Sequence, residues 1–249
     1  MEDYRKLLYS KYHSAHGVNT AGSGTQDAVR AQFGVWERYF GRFLPQDSGA
    51  RILDLGCGNG GFVYWLRSKG FSGAIGVDAS EEQVAQAEKN SFPGIERGDA
   101  VEFLSSRIER FDLIFARDLV EHFRKDELPA LFEAMRCALA PEGVLILQTP
   151  NGESPFAGRM RYSDLTHENI FTWESLSQLF AITGFCAPSF YPVTPPARGP
   201  VSATRALLWK FIEAGLRFCT LVETGSAIGY FTRNIIARAR KYEERENGT

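Results

Sequence analysis

The stretch Arg51-Ile-Leu-Asp-Leu-Gly-Cys-Gly-Asn-Gly-Gly61 decides the fold. Its first half is a short apolar run that predicts a buried strand, and its four glycines open a segment with helical spacing. Glycine is the residue that permits a sharp turn and a close approach of the backbone to a ligand. The stretch also satisfies the dinucleotide fingerprint through Gly56, Gly58 and Gly61. It therefore predicts a ligand site directly after the first strand.

Apolar runs alternate with amphipathic stretches from Arg51 onward. The strand-like runs are 51–56, 74–78, 111–118 and 143–150, and the helical stretches are 62–70, 80–90, 125–140 and 172–184. Strands that alternate with helices form right-handed crossovers, so the pattern predicts an α/β fold with a doubly wound, mainly parallel sheet. The last strand candidate, Gly229–Ala239, follows a long connection, and we expect this strand to be antiparallel.

The 249 residues are expected to form a single domain with one insertion. Helical spacing predicts an N-terminal helix at Gln26–Leu44, after a loop at Gly17–Thr25 that is rich in glycine, serine and threonine. The expected parts are 1–48, an N-terminal lid and helix; 51–151, the ligand-binding core; 152–192, a substrate loop, helix and strand; 193–226, a helical insertion; and 227–249, the last strand and tail.

Composition argues against several classes of partner. The chain has 28 lysines and arginines against 30 aspartates and glutamates, so no strong field attracts nucleic acid, and no nucleic-acid partner is expected. The four cysteines lie far apart, which indicates reduced thiols rather than a disulfide or zinc framework. The sequence shows neither a basic and apolar leader nor a long uncharged apolar run, so we expect a cytoplasmic protein.

Three acids lie at successive predicted strands, and two of them, Asp54 and Asp99, favour S-adenosylmethionine over a dinucleotide, whereas dinucleotide enzymes share an acid like Asp78. A carboxylate at Asp54 suits a cationic sulfonium and amino-acid end and would repel a pyrophosphate. Asp78, at the end of the second strand, can accept hydrogen bonds from both ribose hydroxyls. Asp99, after the next strand, can accept one from the adenine amino group. The alternative is that Asp54 and Asp99 only cap turns or helices.

The runs ILDLGCGNGGF, GVDAS, GDA, FDLIFARDLVEHF and LAPEGVLILQTPN resemble successive motifs of class I S-adenosylmethionine-dependent methyltransferases over residues 51–151. The resemblance implies a Rossmann-like, seven-stranded sheet with a reversed last strand, and S-adenosylhomocysteine as the product. It implies that Gly56, Gly58 and Gly60 form the cofactor loop, that Asp78 binds ribose and that Asp99 binds adenine. The other residues expected at the cofactor are Asp54, Cys57, Ala79, Ala100, Val101 and Arg117.

Two histidines lie after predicted strands, where a base could remove the proton of an acceptor hydroxyl. His167 lies in a polar segment between the fifth strand and the next helix, and it is the first candidate for the base. The alternative is a histidine that fixes the loop backbone by hydrogen bonding. His122, after the fourth strand, is the second candidate.

Asp118, Glu121 and His122 have the spacing i, i+3, i+4, so on one helical turn they could hold a magnesium ion. The segment resembles the acid-x-x-Glu-His segment of ubiquinone-biosynthesis O-methyltransferases, some of which are metal-assisted. The alternative is that Asp118 lies under the cofactor while Glu121 and His122 begin a helix. A divalent metal is therefore possible but not expected.

Residues 203–222 form a predicted helix with a broad apolar stripe that includes Leu208, Phe211 and Phe218. This stripe is expected to pack on its own domain or on a second subunit as a homodimer. The alternative is attachment to a membrane surface, because Arg205, Lys210 and Arg217 accompany the aromatic residues. A peripheral location at the membrane is then possible for a cytoplasmic protein.

The expected acceptor is a hydroxyl group of a small molecule, most simply a sugar or glycan. The segments Tyr162–His167 and Phe171–Leu176, with the late helix, resemble bacterial methyltransferases of cell-surface polysaccharide and lipid-linked sugar pathways. One alternative is a metal-assisted quinone or phenol O-methyltransferase. A second alternative, from another class of protein, is a non-catalytic S-adenosylmethionine-binding partner in a biosynthetic complex, because the motifs alone prove no turnover.

Overall fold

The computed structural model describes residue 8 and residues 25–197 and 199–242. Seven strands of these residues form one sheet, and its strands are β1 Ile52–Leu55, β2 Ile75–Asp78, β3 Ile95–Arg97, β4 Phe111–Arg117, β5 Leu139–Pro150, β6 Phe185–Pro192 and β7 Asn234–Lys241. The spatial order is β3-β2-β1-β4-β5-β7-β6. The start of the expected N-terminal lid, including the loop expected at 17–25, lies outside the described residues except for residue 8 and Thr25. The tail after residue 242 also lies outside them.

Helices cover both faces of this sheet. Those in the described residues are α1 Gln26–Phe40, α2 Gly61–Ser68, α3 Glu81–Lys89, α4 Ala100–Ser105, α5 Leu128–Ala138, α6 Ala157–Tyr162, α7 Trp173–Ile182 and α8 Pro200–Thr224, with single 3-10 turns at Gly41–Phe43 and Val120–His122. The start predicted for α1 is confirmed, because the Thr25 side chain accepts a hydrogen bond from the Ala28 amide. Its α-helical hydrogen bonding ends at Phe40, and one 3-10 turn continues toward Leu44.

The predicted parallel sheet with an antiparallel last strand is confirmed. β1 pairs in parallel with β2 and β4, β2 with β3, and β4 with β5. β7 lies between β5 and β6 and is antiparallel to both. The chain order reverses between β1 and β4, and in doubly wound sheets ligands bind outside the strand ends at such a point.

The last strand begins at Asn234 rather than at Gly229, where its sequence pattern begins. Asn234 pairs with Pro150, the last residue of β5, so residues 229–233 have no strand beside them in this register. Side chains hold them instead: Asn151 donates to the Thr232 carbonyl at 2.9 Å, and Glu153 accepts from the Tyr230 amide at 3.0 Å. The apolar pattern of this segment therefore marks a buried loop before the strand.

Alternate residues of the central strands face two separate apolar layers, as the pleat requires. Leu53 and Leu55 pack against the side of the sheet covered by α4, α5 and α7. Ile52 packs on the opposite side, against α1 and α2. Asp54 alternates with Leu53 and Leu55, so its carboxylate lies on the side of α1 and α2.

Helix α8 extends the predicted 203–222 helix at both ends and carries the insertion. It has 25 residues, none of which is buried. Pro200 occupies its first turn, and Gly225, at a positive φ of 74°, ends it. Among the described residues, no helix combines the length and the apolar content that crossing a membrane requires.

Candidate functional site

A cavity of about 700 Å³ lies at the carboxyl ends of β1, β2, β3 and β4. Its position at the reversal of strand order is that of a ligand site in a doubly wound sheet. The predicted residues that line it are Gly56, Gly58, Asp78, Ala79, Asp99, Ala100, Val101 and His122. The predicted residues that do not line it are Asp54, Cys57, Gly60, Arg117 and His167.

The glycine turn after β1 depends on backbone angles that favour glycine. Gly56, Gly58 and Gly60 have φ values of 72°, 55° and 74°. Gly56 and Gly58 face the cavity, whereas Gly60 lies behind it as the N-cap of α2. A Cβ on Gly60 would lie 2.7 Å from Cγ1 of Ile95. Gly60 therefore shapes the loop from behind and does not line the cavity.

Gly60→Ala is expected to lower the free energy of unfolding by about 2 kcal/mol, because it combines a left-handed backbone with overpacking. Urea unfolding of the variant and the parent protein measures this difference. Gly73→Ala is the matched control, since a Cβ on Gly73 meets nothing within 4 Å. Equal stability of the Gly60 variant and the parent would contradict the assigned role.

Asp78 connects β2 to the glycine turn. Its Oδ2 accepts from the Gly58 amide and its Oδ1 from the Ser80 amide, both at 2.8 Å. Burial raises the pKa of Asp78, and the two amide hydrogen bonds oppose that rise. Each carboxylate oxygen keeps a second lone pair. A pair of neighbouring hydroxyls in the cavity can therefore donate to this carboxylate.

Asp99 combines both roles that its position suggested. Its Oδ1 caps α4 by accepting from the Val101 amide at 2.9 Å and the Glu102 amide at 3.1 Å. The same residue lines the cavity together with Ala100 and Val101. The cap uses Oδ1, which leaves Oδ2 available to a ligand amino group.

Asp54 is buried behind the cavity and is paired with an arginine. Its Oδ2 lies 3.3 Å from Nη2 of Arg117, whose guanidinium lies 3.8 Å from the centre of the Phe62 ring. Burial raises the pKa of Asp54, and Arg117 opposes that rise. Oδ1 of Asp54 and Nε of Arg117 have no hydrogen-bond partner among the described residues. The expected direct contact of Asp54 with the cavity is therefore not observed.

Cys57 is buried on the far side of the glycine turn. Burial raises the pKa of its thiol well above the usual value, with Asp54 and Asp78 raising it further. The side chain fills the space beside Gly76, where an added Cβ would lie 2.7 Å from the Cys57 sulfur. Cys57 is therefore a packing residue of the loop, as its neutral thiol and its burial indicate.

The cavity lining is strongly acidic. It includes Asp78, Asp99, Asp118, Asp126 and Glu127, and none of the described lining residues is a lysine or an arginine. Arg124 compensates part of this charge, with ion pairs to Asp126 at 3.5 Å and to Glu127 at 3.1 Å. Such a lining favours a cationic ligand and disfavours a pyrophosphate.

Asp118 does not join Glu121 and His122 on one helical turn, so these three residues do not form the metal group that their spacing allowed. Asp118 has a positive φ of 51°, and the 3-10 turn begins only at Val120. The carboxylate of Asp118 accepts from Gln148 at 2.8 Å and from Asn234 at 3.3 Å. The chain turns at Asp118, which lines the cavity while its carboxylate is directed to β5 and β7.

His122 reaches the cavity from the 3-10 turn that follows β4. Its Nδ1 lies 2.9 Å from the Thr166 hydroxyl and 3.3 Å from the Thr166 carbonyl. The ring also has a hydrogen bond with the Asp118 backbone. Burial, together with nearby His167, lowers the pKa of His122 to about 4. The ring is therefore neutral near pH 7 and can accept a proton.

His167 lies behind His122 rather than at the cavity. The two ring centres are 4.9 Å apart. Nδ1 of His167 lies 2.8 Å from the Met160 carbonyl, and Nε2 lies 3.8 Å from Oδ2 of Asp164. The hydrogen bond to Met160 fixes the loop backbone, which was the alternative role for this histidine. His167 can act on a ligand only through His122 in this arrangement.

Glu121 brings the two histidine segments together. Its carbonyl accepts from the amides of Glu168 at 2.8 Å and Asn169 at 3.0 Å, which attaches the loop around His167 to the 3-10 turn. Its fully buried carboxylate accepts from Thr149 through Oε2, and Oε1 has no partner among the described residues. Burial raises the pKa of Glu121 well above its ordinary value, and Asp118 raises it further.

Glu121, His122 and His167 form the group that could hold a metal ion. One ligand atom from each lies within 4.8 Å of the others. The orphaned Oε1 of Glu121 is an acceptor that a cation would satisfy. Two imidazoles and one carboxylate favour a transition metal over magnesium. His167 thus replaces Asp118 in the set that sequence spacing indicated.

Several residues of the site were missed in the sequence. Ser80 and Gln83 line the cavity beside Asp78, and Phe123, Asp126 and Glu127 line its other end. Thr166 holds His122, and its hydroxyl donates to Asp164 at 2.6 Å. The polar run Ser163–His167 was the only signal for Thr166. Thr166 and His122 are 44 residues apart in the chain, so no local sequence pattern indicates their contact.

Residues 29–187 match the model of a family described as a methyltransferase domain. Several curated proteins are similar to part of the chain. The tRNA U34 carboxymethyltransferase of Geobacter sp. (strain M21) is 32% identical over 119 residues, which are 46% of this chain and 36% of that protein. The cyclopropane-fatty-acyl-phospholipid synthase of Escherichia coli (strain K12) is 29% identical over 106 residues, 43% of this chain and 28% of the synthase.

A ubiquinone biosynthesis O-methyltransferase of Rhodopseudomonas palustris (strain BisB5) is 32% identical over 108 residues, 42% of this chain and 41% of that protein. The chain therefore matches well under half of the length of each of these relatives. A solved S-adenosylmethionine-dependent methyltransferase from Archaeoglobus fulgidus has a TM-score of 0.63 at 22% identity, and the match covers 96% of this chain and 100% of that one. This structural similarity supports the fold.

Proposed function

The chain belongs to the methyltransferase domain family, and from that premise we propose that it transfers the methyl group of S-adenosylmethionine to a hydroxyl of a sugar or glycan. S-adenosylhomocysteine is then the product. The hydroxyl oxygen forms a bond to the methyl carbon as the carbon–sulfur bond breaks, and the hydroxyl proton passes to a base. The cofactor supplies an electrophilic methyl group on a cationic sulfur.

The observation that carries the cofactor assignment is the charge of the cavity. Five acidic residues line it, of which Asp118 directs its carboxylate to Gln148 and Asn234, and no lysine or arginine does so among the described lining residues. A dinucleotide would place two phosphate charges against this lining, whereas S-adenosylmethionine brings a sulfonium and an ammonium group. The acidic lining therefore fits S-adenosylmethionine and not a nicotinamide or flavin dinucleotide.

The residues of the cavity fit the remaining parts of the cofactor. Asp78 would accept from the two ribose hydroxyls through the lone pairs that Gly58 and Ser80 leave unused. Asp99 would accept from the adenine amino group through Oδ2, beside the apolar surfaces of Ala100 and Val101. Gly56 and Gly58 bring the backbone close enough for the amino-acid end, because they carry no side chain.

We propose His122 as the base for the acceptor hydroxyl. It lines the same cavity as Asp78 and Asp99, and its ring is neutral near pH 7. The Thr166 hydroxyl and the Asp118 backbone hold the ring in place at the cavity. His167 becomes a positioning residue, since its ring packs against His122 and it does not line the cavity. His122 thus becomes the first candidate for the base, whereas the sequence had suggested His167.

The support for a sugar acceptor is the exposed segment around α6, which contacts His167 behind His122. Arg159, Arg161 and Tyr162 lie on α6, and Tyr162 is 79% exposed. Exposed polar and aromatic groups are typical of a surface that binds a polyhydroxylated ligand. The resemblance of Tyr162–His167 to polysaccharide-pathway methyltransferases points in the same direction.

Calorimetric titration tests the cofactor, with saturable binding expected for S-adenosylmethionine and S-adenosylhomocysteine and none for NADH. Transfer of labelled methyl groups into a glycan fraction then tests the reaction. Binding of NADH instead would contradict the cofactor assignment. Tight cofactor binding without transfer into any lysate fraction would support the alternative of a non-catalytic binding partner.

A second candidate function is metal-assisted transfer to a quinone or phenol. The group of Glu121, His122 and His167, with its orphaned carboxylate oxygen, is the observation that favours it. A metal at this position would lower the pKa of a bound phenol. Loss of activity in EDTA, with recovery on adding manganese, is the expected result for this candidate. Full activity in EDTA is the result expected for His122 as a base.

A further inference from the structure

Helix α8 presents its apolar side to solvent and its more polar side to the domain. The half-buried residues that face the domain are Ser202, Ala206, Trp209, Glu213, Leu216, Arg217 and Thr220. Phe211, Phe218 and Val222, on the opposite side, are 69%, 65% and 70% exposed. An amphipathic helix on a globular domain normally buries its apolar stripe. The reversed orientation indicates that another apolar medium covers this side.

The contacts of Arg217 explain how a polar side can hold the helix. Arg217 forms an ion pair with Glu213 at 2.8 Å and donates to the Ala227 carbonyl at 2.9 Å. Its guanidinium also lies 5.7 Å from the centre of the Phe231 ring. These contacts fix which side of α8 meets the domain, and the apolar side therefore stays outward.

The exposed apolar arc is broad. At about 100° per residue, the outward side chains from Leu221 at one edge to Ile212 at the other cover roughly half of the helix circumference. Val201, Leu207 and Leu208 are also more than half exposed, at 75%, 55% and 56%. A pair of helices buries a narrower seam. A lipid surface, in contrast, covers a broad arc along the whole helix.

Positively charged side chains lie at the edges of this arc, as they do in helices that bind at a membrane surface. Arg205 and Lys210 are exposed at its two edges, and neither forms an ion pair with a described residue. Within α8 the acids are Glu213, which pairs with Arg217, and Glu223 in the last turn. The arc itself contains no acid. Cations beside an acid-free apolar arc complement the anionic headgroups of a bilayer.

We propose that α8 docks the protein onto an anionic membrane surface, with Phe211 and Phe218 in the headgroup and acyl boundary and with Arg205 and Lys210 at the phosphates. The docking does not depend on methyl transfer. If the proposed function also holds, an acceptor carried on a lipid would reach the site from the same surface.

Co-sedimentation of the full chain with vesicles tests this proposal. Vesicles of phosphatidylglycerol and phosphatidylcholine in equal parts are expected to bind it, and pure phosphatidylcholine vesicles should bind it more weakly. Phe211→Ser with Phe218→Ser is expected to lower the partition coefficient about tenfold or more, because it removes most of the aromatic area. Arg205→Gln with Lys210→Gln should weaken binding to the anionic vesicles and remove its salt dependence.

Ile108→Ser and Ile182→Ser are the matched controls, since these side chains are 70% and 73% exposed elsewhere on the surface. Both are expected to bind vesicles as the parent protein does, and circular dichroism confirms that every variant is folded. Failure of the parent chain to sediment with anionic vesicles would overturn the proposal. So would a parent dimer, seen by analytical ultracentrifugation, that the double serine variant converts to monomers without any vesicle binding.

Discussion

Asp78→Asn is expected to weaken the binding of S-adenosylmethionine about 100-fold or more. The substitution keeps the size of the side chain but replaces one acceptor oxygen by an amide NH2 group. The Gly58 and Ser80 amides and the two ribose hydroxyls then compete for a single acceptor. Hydrogen bonds to a charged group contribute about 1.5–3 kcal/mol each, and every 1.4 kcal/mol is tenfold in affinity. Calorimetric titration measures the change.

Asp112→Asn makes the same chemical change outside the cavity. Asp112 is partly exposed and pairs with Arg51 at 2.7 Å, so the variant should bind the cofactor as the parent protein does. Thermal unfolding of both variants separates a loss of binding from a loss of the fold. If the Asp78 variant binds within about threefold of the parent (less than 1 kcal/mol), Asp78 is not the ribose acceptor.

His122→Ala is expected to lower kcat by roughly 10²–10⁴-fold while cofactor affinity changes only a few-fold, because a positioned base contributes about that much. Single-turnover methyl transfer measures the chemical step directly. His167→Ala is expected to have a smaller effect, since His167 acts only through the His122 ring. A larger loss in the His167 variant than in the His122 variant would restore His167 as the base.

The pKa of His122 also predicts the pH profile of the reaction. A base must be neutral to accept a proton, and burial lowers the pKa of His122 from 6.5 to about 4. The rate is therefore expected to stay nearly constant as pH falls from 8 to about 5 and to decline only as the ring becomes protonated near pH 4. A decline centred near pH 6.5 would indicate a solvated histidine instead.

Much of the cofactor side of the cavity could be predicted from the sequence. Asp78 and Asp99 each follow a strand in the pattern, and parallel strands bring such residues to one edge of the sheet. By the same reasoning Asp54 was expected to contact the cavity, but its carboxylate faces away from it. It lies within β1, where the pleat directs its carboxylate toward Arg117 and away from the cavity.

The acceptor side could not be predicted in the same detail because it depends on local backbone turns. Helical spacing placed Asp118 beside Glu121, but the positive φ of Asp118 separates them. The contact between His122 and Thr166 depends on a loop that returns to the 3-10 turn through backbone hydrogen bonds to Glu121. Neither feature leaves a periodic pattern in the sequence.

The orientation of α8 on the domain could not be predicted from helical spacing either. The apolar stripe was visible from residues 203–222, and the pattern alone favoured burial against protein. The side that meets the domain is decided by Arg217 and its contacts with Ala227 and Phe231, which lie in the loop after the helix. These are tertiary contacts, and the composition of the helix does not encode them.

The position of β7 between β5 and β6 has a consequence for how the domain assembles during synthesis. β6 pairs with β7 alone, so residues 185–192 leave the ribosome before the strand that will hold them has been made. The first five strands can associate early, but the edge of β5 stays open until residues 234–241 arrive. Nascent chains that end before these residues should leave the edge of β5 and the whole of β6 unpaired, which makes them candidates for chaperone capture.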